Sequence, residues 1–143
     1  MTRIIQVLLT LAALAYTVAP PFVDFGATHA LHPDWTGHAR FHMVWLVITN
    51  SLMGFLALYQ IWWRAEQGGL ILGGLISLFV LGGFMLAGLF MPLYDGALTD
   101  AGGVEAGPAG IDANLFLFSI ALTLNVIAMV WALKKPQHSE GVN

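Results

Sequence analysis

The chain has 143 residues, of which 58% are hydrophobic and only 9% are charged, and its mean hydropathy is +0.79. In a soluble domain about a quarter of the residues are charged, so this chain has too few charged side chains to form the surface of a soluble protein. A protein surrounded by lipid can keep an apolar outer surface. The net charge of −3 and the lack of a basic patch argue against nucleic acid as a partner. The absence of cysteine excludes disulfides, thiolate metal sites and a thiol nucleophile.

Four apolar runs divide the chain, at about 4–23, 41–63, 69–93 and 115–133. Each approaches or exceeds the roughly 20 residues that a helix needs to cross a bilayer core. Backbone polar groups in lipid must pair internally, and no stretch alternates as a barrel strand would, so the runs are predicted to be helices. The sequence therefore predicts an all-α, integral membrane four-helix bundle that forms a single domain over 1–143, with the lipid bilayer around it.

The first run has a second interpretation, as a cleaved signal peptide. Arg3 would form a small basic region before the apolar stretch, and Ala13-Leu14-Ala15 has the small-x-small form of a cleavage site. The apolar run nevertheless continues past that point to Val23, which favours a retained span.

The basic residues predict the orientation of the four spans. One side would carry Arg3, Arg64, Lys134 and Lys135. The other side would carry Arg40 together with six acids, Asp24, Asp34, Asp95, Asp100, Glu105 and Asp112. Since cytoplasmic loops are enriched in Lys and Arg, we expect a multi-pass protein of the cell (inner) membrane with both termini in the cytoplasm. The segments 24–37 and 94–112 would then be the external loops.

Glycine is frequent in the third run, where Gly69 and Gly73 have the small-x-x-x-small spacing of close helix packing. This pattern favours a central position of the third helix in the bundle. The alternative is a homo-oligomer formed through the same helix.

Four of the five histidines lie within fourteen residues, at His29, His32, His38 and His42, and the fifth, His138, lies in the polar tail. If the second helix begins near Thr36, with Pro33 as turn former and Asp34 as capping acid, His38 and His42 stand one turn apart on one face. An ionisable group in an apolar run usually faces the bundle interior and marks a pathway or a site. We therefore expect His42 to face the interior.

The predicted site is a polar pocket at the external ends of the second to fourth helices. The candidate catalytic residues are His38, His42, Asn50 and Asp112. His42 and Trp45 are the candidate cofactor-binding residues, and His38 and His42 the candidate metal ligands. Anchoring of the helix at the membrane interface is the simpler alternative, and it holds especially for His29 and His32.

The type of site stays open at this point. Mixed histidine and carboxylate ligands would suit zinc or iron, but membrane di-iron desaturases need about twice as many histidines. A metal-free acid/base site, or a single haem, fits this number of histidines better.

The segment His32-Pro33-Asp34-Trp35-Thr36-Gly37-His38-Ala39-Arg40-Phe41-His42 resembles the signature of an uncharacterised family of small membrane proteins of bacteria and fungi. Within it, Ala39-Arg40-Phe41-His42 is similar to the Ala-Arg-x-His motif of styrene oxide isomerases. The segment 107–112, before the fourth run, is also similar in placement to a loop of those enzymes.

The second resemblance implies a four-helix membrane enzyme that binds haem b through His42 and opens an epoxide to an aldehyde. An open face of the iron would act as a Lewis acid on the epoxide oxygen. That family has an asparagine six residues after its histidine, where this chain has Ile48, with Asn50 two residues further on. The family's third helix carries a tyrosine, whereas here the third run has none before Tyr94.

Two classes of function follow from these observations. The first is a membrane enzyme, isomerase-like, that acts on a lipophilic small molecule through a histidine site at the external membrane boundary. The second is a non-catalytic accessory or binding protein, whose histidines anchor a helix and whose glycine-rich helix contacts a partner. A proton-coupled carrier fits less well, because no acid lies at membrane-centre depth and four spans are few.

Overall fold

The computed structural model describes residues 2–99 and 107–134. Its helices are α1 (Thr2–Thr17), α2 (Ala19–Val23), α3 (Gly37–Trp63), α4 (Gln67–Phe90) and α5 (Ala113–Leu133), with single 3₁₀ turns at Met91–Leu93 and Pro108–Gly110. No strand occurs in these two ranges. Four residues named above for their charge or chemistry lie outside the described ranges: Asp100, Glu105, Lys135 and His138.

Four spans of this fold are long and apolar enough to cross a membrane: Thr2–Val23, Gly37–Trp63, Gln67–Leu93 and Ala113–Leu133. They coincide with the four apolar runs, so the prediction of an all-helical chain with four such helices is confirmed. The first span is not one continuous helix. It breaks at Val18 because Pro20 and Pro21 have no N–H to continue the helical hydrogen bonds.

Side-chain caps set the starts of α3 and α5. The Thr36 hydroxyl accepts a hydrogen bond from the Ala39 backbone N–H at 3.2 Å. The Asp112 carboxylate accepts from the N–H groups of Asn114 and Leu115 at 2.9 and 3.0 Å. Such oxygens satisfy N–H groups that the first helical turn leaves unpaired. The prediction that Asp34 caps the second span was wrong, since Thr36 lies at the N-cap position.

The four spans pack as a bundle in which α1 and α4 are central. Each of these two helices packs against both α3 and α5, and they also touch each other across the bundle. The core forms two layers of buried residues. One contains Ile5, Leu9, Ile61, Leu70, Ala128 and Ala132, and the other contains Ala12, Ala13, Ala15, Tyr16, Leu81 and Ala121.

Three glycines allow the helices to approach closely within this bundle. A Cβ on Gly54 would lie 1.7 Å from the Thr17 hydroxyl oxygen, and one on Gly73 would lie 2.8 Å from Ile61. A Cβ on Gly74 would meet Met129 of α5 at 2.6 Å. The central position predicted for the glycine-rich helix is therefore what the structure shows.

Polar side chains inside the bundle are paired with atoms of neighbouring helices. The Gln6 amide donates to the Ile61 carbonyl at 2.9 Å, and Tyr16 and Ser77 share a hydrogen bond at 3.0 Å. Asn125, which is fully buried, donates to the Gly74 carbonyl at 3.0 Å. Hydrogen bonds between spans contribute of order 1 kcal/mol each in a membrane, so these bonds help to set the helix register.

Candidate functional site

A compact segment, residues 24–36, precedes α3 and is called the histidine loop below. The Ala30 N–H donates a hydrogen bond to the Asp24 carbonyl at 2.9 Å, which closes the first half of the loop. Arg40, one turn into α3, reaches back and donates to the carbonyls of His32 at 2.8 Å and Pro33 at 3.4 Å. The Arg40 side chain therefore ties the loop to the start of α3.

The two loop histidines are held by groups of their own loop. His29 shares a hydrogen bond with the Thr28 hydroxyl at 2.9 Å, and its Nε2 lies 3.9 Å from Asp24 Oδ1. The Trp35 ring stacks on His32, with ring centroids 5.9 Å apart, and meets the edge of His29 at 6.3 Å. Burial raises the pKa of the Asp24 carboxyl, and the nearby His29 opposes that rise. These contacts account for both histidines as parts of the loop's structure.

His38 and His42 form a different kind of pair. They project from successive turns of α3, and both are exposed. Their Nε2 atoms lie 3.1 Å apart and share a hydrogen bond, and their ring centroids are 4.5 Å apart with the planes at 84°. Because only one hydrogen can occupy the line between two nitrogens at this distance, one ring donates and the other accepts. The predicted one-turn pairing is confirmed.

The expectation that His42 faces the bundle interior was wrong. The buried residues of α3 are Val47, Gly54, Ala57 and Ile61, which form one stripe. His42 precedes Val47 by five residues, which places it about 140° around the helix. This pair therefore lies on the outward surface of the bundle, in a stretch of α3, residues 37–46, in which no residue is buried.

Two shallow apolar grooves lie beside His42, which lines both, whereas His38 lines neither. The larger, about 550 Å³, lies between the histidine loop and α3 and is lined by Asp34, Trp35, Thr36, Ala39, His42, Met43 and Leu46. The smaller, about 420 Å³, is lined by His42, Trp45, Leu46 and Thr49. Ligand sites usually measure about 300–1,000 Å³, so each groove could hold part of a small molecule. Met43 and Leu46 were missed in the sequence, although they follow Ala39 and His42 by one helical turn.

The other predicted site residues divide between the pair and other parts of the fold. Trp45 lies beside the His38–His42 pair, with its ring centroid 5.8 Å from that of His42. Asn50 is half-buried and lies 80° around α3 from His42, outside both grooves. Asp112 caps α5 and accepts a hydrogen bond from the Thr99 hydroxyl at 2.6 Å. That bond and the helix N–H groups lower the pKa of Asp112.

The geometry of the pair can be compared with what each cofactor considered above would require. The two Nε2 atoms face each other across 3.1 Å. A porphyrin whose iron bound His42 Nε2 would meet the His38 ring on that side, so haem fits only if His38 turns away. A bare ion at about 2.0–2.1 Å from both nitrogens would lie to one side of the line that joins them, so the two rings would turn toward it. In 2–99 and 107–134, no group of three His, Asp or Glu side chains converges on one point.

Comparison of the chain with protein-family models, with curated proteins and with solved structures gave no match.

Proposed function

We propose that this protein acts on a lipophilic small molecule at the external boundary of the cell (inner) membrane, through the His38–His42 pair. Both termini lie in the cytoplasm, so the histidine loop and the start of α3 lie on the outside. The substrate enters sideways from the bilayer, because the grooves beside His42 are open along α3.

One observation carries this proposal. Two exposed imidazoles share a hydrogen bond at 3.1 Å at the start of a helix able to cross a membrane, and one of them, His42, lines two apolar grooves. Ionisable groups within such helices are expensive and usually serve a purpose. Unlike the loop histidines, this pair has no described hydrogen bond to another part of the chain that would give it a structural role.

The pair suits a reaction that needs one proton delivered and later taken back. One imidazole protonates an oxygen of the bound molecule, and the same pair accepts a proton in a later step. For an epoxide, protonation opens the C–O bond, hydride migrates to the adjacent carbon, and loss of the hydroxyl proton gives the isomeric aldehyde. This is the isomerisation that the resemblance of Ala39-Arg40-Phe41-His42 implies.

The test is an isomerase assay with styrene oxide as the probe. Purified protein, supplied with haem during expression, is reconstituted in liposomes, and the aldehyde formed is measured by gas chromatography. General acid/base groups contribute about 10²–10⁴-fold, so His42→Ala and His38→Ala should each lower the rate by at least about a hundredfold. His138→Ala, which removes a histidine outside the described residues, is the matched control. Rates equal to the control in both variants would overturn the proposal.

A non-catalytic accessory role is the second candidate, and it is favoured by the open apolar face of α3. Seven large hydrophobic side chains on that helix are more than half exposed, namely Phe41, Trp45, Leu46, Ile48, Leu52, Phe55 and Trp63. A partner helix could cover them. Chemical cross-linking in native membranes tests this candidate: a discrete complex that Phe55→Ala weakens, and that the histidine variants leave intact, would support it.

A further inference from the structure

The spacing of the His38 and His42 nitrogens matches that of two ligands on one metal ion. Imidazole nitrogens bind zinc at about 2.0–2.1 Å. Two such nitrogens are therefore about 2.9 Å apart when they subtend 90° at the ion, and about 3.4 Å apart in a tetrahedral site. The observed Nε2–Nε2 distance is 3.1 Å, between these values.

We propose that His38 and His42 together bind one divalent transition-metal ion through their Nε2 atoms, leaving the other coordination positions open toward the grooves. The ion replaces the single proton that the two nitrogens now share. Its role in turnover rests on the proposed function, but its binding does not. Neutral imidazole is a good ligand for zinc, cobalt, nickel and copper. The expected ion therefore belongs to this group of transition metals and is not calcium or magnesium.

The local fold holds this chelate in place before any ion arrives. The two rings stand one turn apart on a regular helix, whose start is capped by Thr36 and clamped to the histidine loop by Arg40. A preorganised pair loses less conformational freedom on binding than two independent side chains do. The loop pair is unlike it, since Thr28 and Trp35 already engage the His29 ring.

The number of ligands predicts what the ion would do. No third histidine or carboxylate joins the pair in the described parts of the chain, so the protein supplies two ligands and water fills the rest. Catalytic metal sites keep a position open for water or substrate, and the ion polarises the oxygen that binds there. Asp34 lines the larger groove beside His42, where it could accept a hydrogen bond from a metal-bound water.

The experiment is a Co²⁺ titration of the full chain in mild detergent, purified without a histidine tag and stripped with EDTA. We expect ligand-field absorption that saturates at one Co²⁺ per chain. His38→Ala and His42→Ala should each weaken binding by at least tenfold, because one nitrogen cannot chelate. His29→Ala should leave the binding curve unchanged.

A variant in which one histidine is moved by one residue tests whether binding requires chelation by the pair or only the same number of histidines. His42→Phe combined with Met43→His keeps five histidines but places the two on α3 about 140° apart. Its Co²⁺ affinity should fall as far as that of His42→Ala, while its circular dichroism stays that of the wild type. Equal binding by this variant, or no histidine-dependent binding at all, would overturn the metal site.

The metal site and the proposed function fail in different ways. Histidine-dependent turnover that persists in EDTA-stripped protein would overturn the ion's role in turnover and leave acid/base catalysis by the pair. Histidine-dependent Co²⁺ binding with a turnover that the same variants do not change would overturn the function and leave the ion site.

Discussion

The two ends of α3 belong to one helix of membrane-spanning length but have different surroundings. Toward its C-terminal end, Gly54, Ala57 and Ile61 are buried against the neighbouring helices. In its first ten residues, 37–46, no residue is buried. This difference shows that two properties must be kept apart. The hydropathy of a helix determines whether it can lie in a membrane, whereas its burial within the bundle requires a neighbouring helix of complementary shape.

The physical reason is that lipid and protein interior are similarly apolar. A leucine or phenylalanine gains little by leaving lipid for a helix interface, so close packing and hydrogen bonds decide which faces meet. The packed part of α3 has small residues, which let backbones approach. At the histidine end no residue of 37–46 is buried, which leaves the His38–His42 pair accessible.

The largest effect is expected from filling the closest approach in the packed half. In Gly54→Ala, the new Cβ would lie 1.7 Å from the Thr17 hydroxyl oxygen, so α1 and α3 must separate. Overpacking of this kind costs about 1–3 kcal/mol, and thermal unfolding in detergent would measure it. Gly82→Ala, where nothing lies within 4 Å of the added Cβ, is the control and should be neutral or stabilising. Equal stability of Gly54→Ala and wild type would contradict this view.

A smaller loss is expected from the buried amide that joins α5 to α4. Asn125→Leu removes the hydrogen bond to the Gly74 carbonyl and leaves that carbonyl with only its helical partner. Interhelical bonds of this type are worth about 0.6–1.7 kcal/mol. Unfolding of reconstituted protein should show a loss in that range. Thr123→Val is the control, since Thr123 bonds only within its own helix, to Ser119. An equally large loss of stability in Thr123→Val would show that the hydrogen bond between α5 and α4 does not account for the effect of Asn125→Leu.

The histidine end should respond to pH, because its loop contains a carboxyl whose pKa burial raises. For Asp24 the folded pKa lies above the ordinary value, so the charged form costs stability at neutral pH and protonation restores it. Asp24→Asn should therefore be modestly more stable than wild type at pH 7, and the difference should shrink as the pH falls through the folded pKa. Denaturant unfolding at several pH values measures this difference. A difference that grows at low pH would show the sign to be wrong.

The smallest effect on stability is expected at the site itself. His42→Ala removes an exposed ring whose hydrogen-bond partner, His38, is also exposed, so the change in unfolding free energy should stay within about 0.5 kcal/mol. The same variant should lose activity and Co²⁺ binding. Together these results would separate the open end of α3, which acts, from the packed end, which stabilises. A strongly destabilised His42→Ala would instead make the pair a structural element.

Much of the fold follows from local patterns in the sequence. The length of each apolar run predicted a span, because a helix must satisfy its own backbone in lipid. The one-turn spacing of His38 and His42 predicted that they pair, because helical geometry alone brings such residues together.

Only the tertiary structure decided which side of α3 meets the bundle. An apolar helix in lipid has no polar face to mark its outside, so the sequence offered no signal that His42 points outward and Val47 inward. It also could not show that Asp112 lies apart from the pair, because that depends on how separate helices pack, whereas the offset of Asn50 from His42 follows from helical geometry. The sequence determined four apolar helices and a histidine pair, and packing between helices decided that the pair stays open to the surroundings.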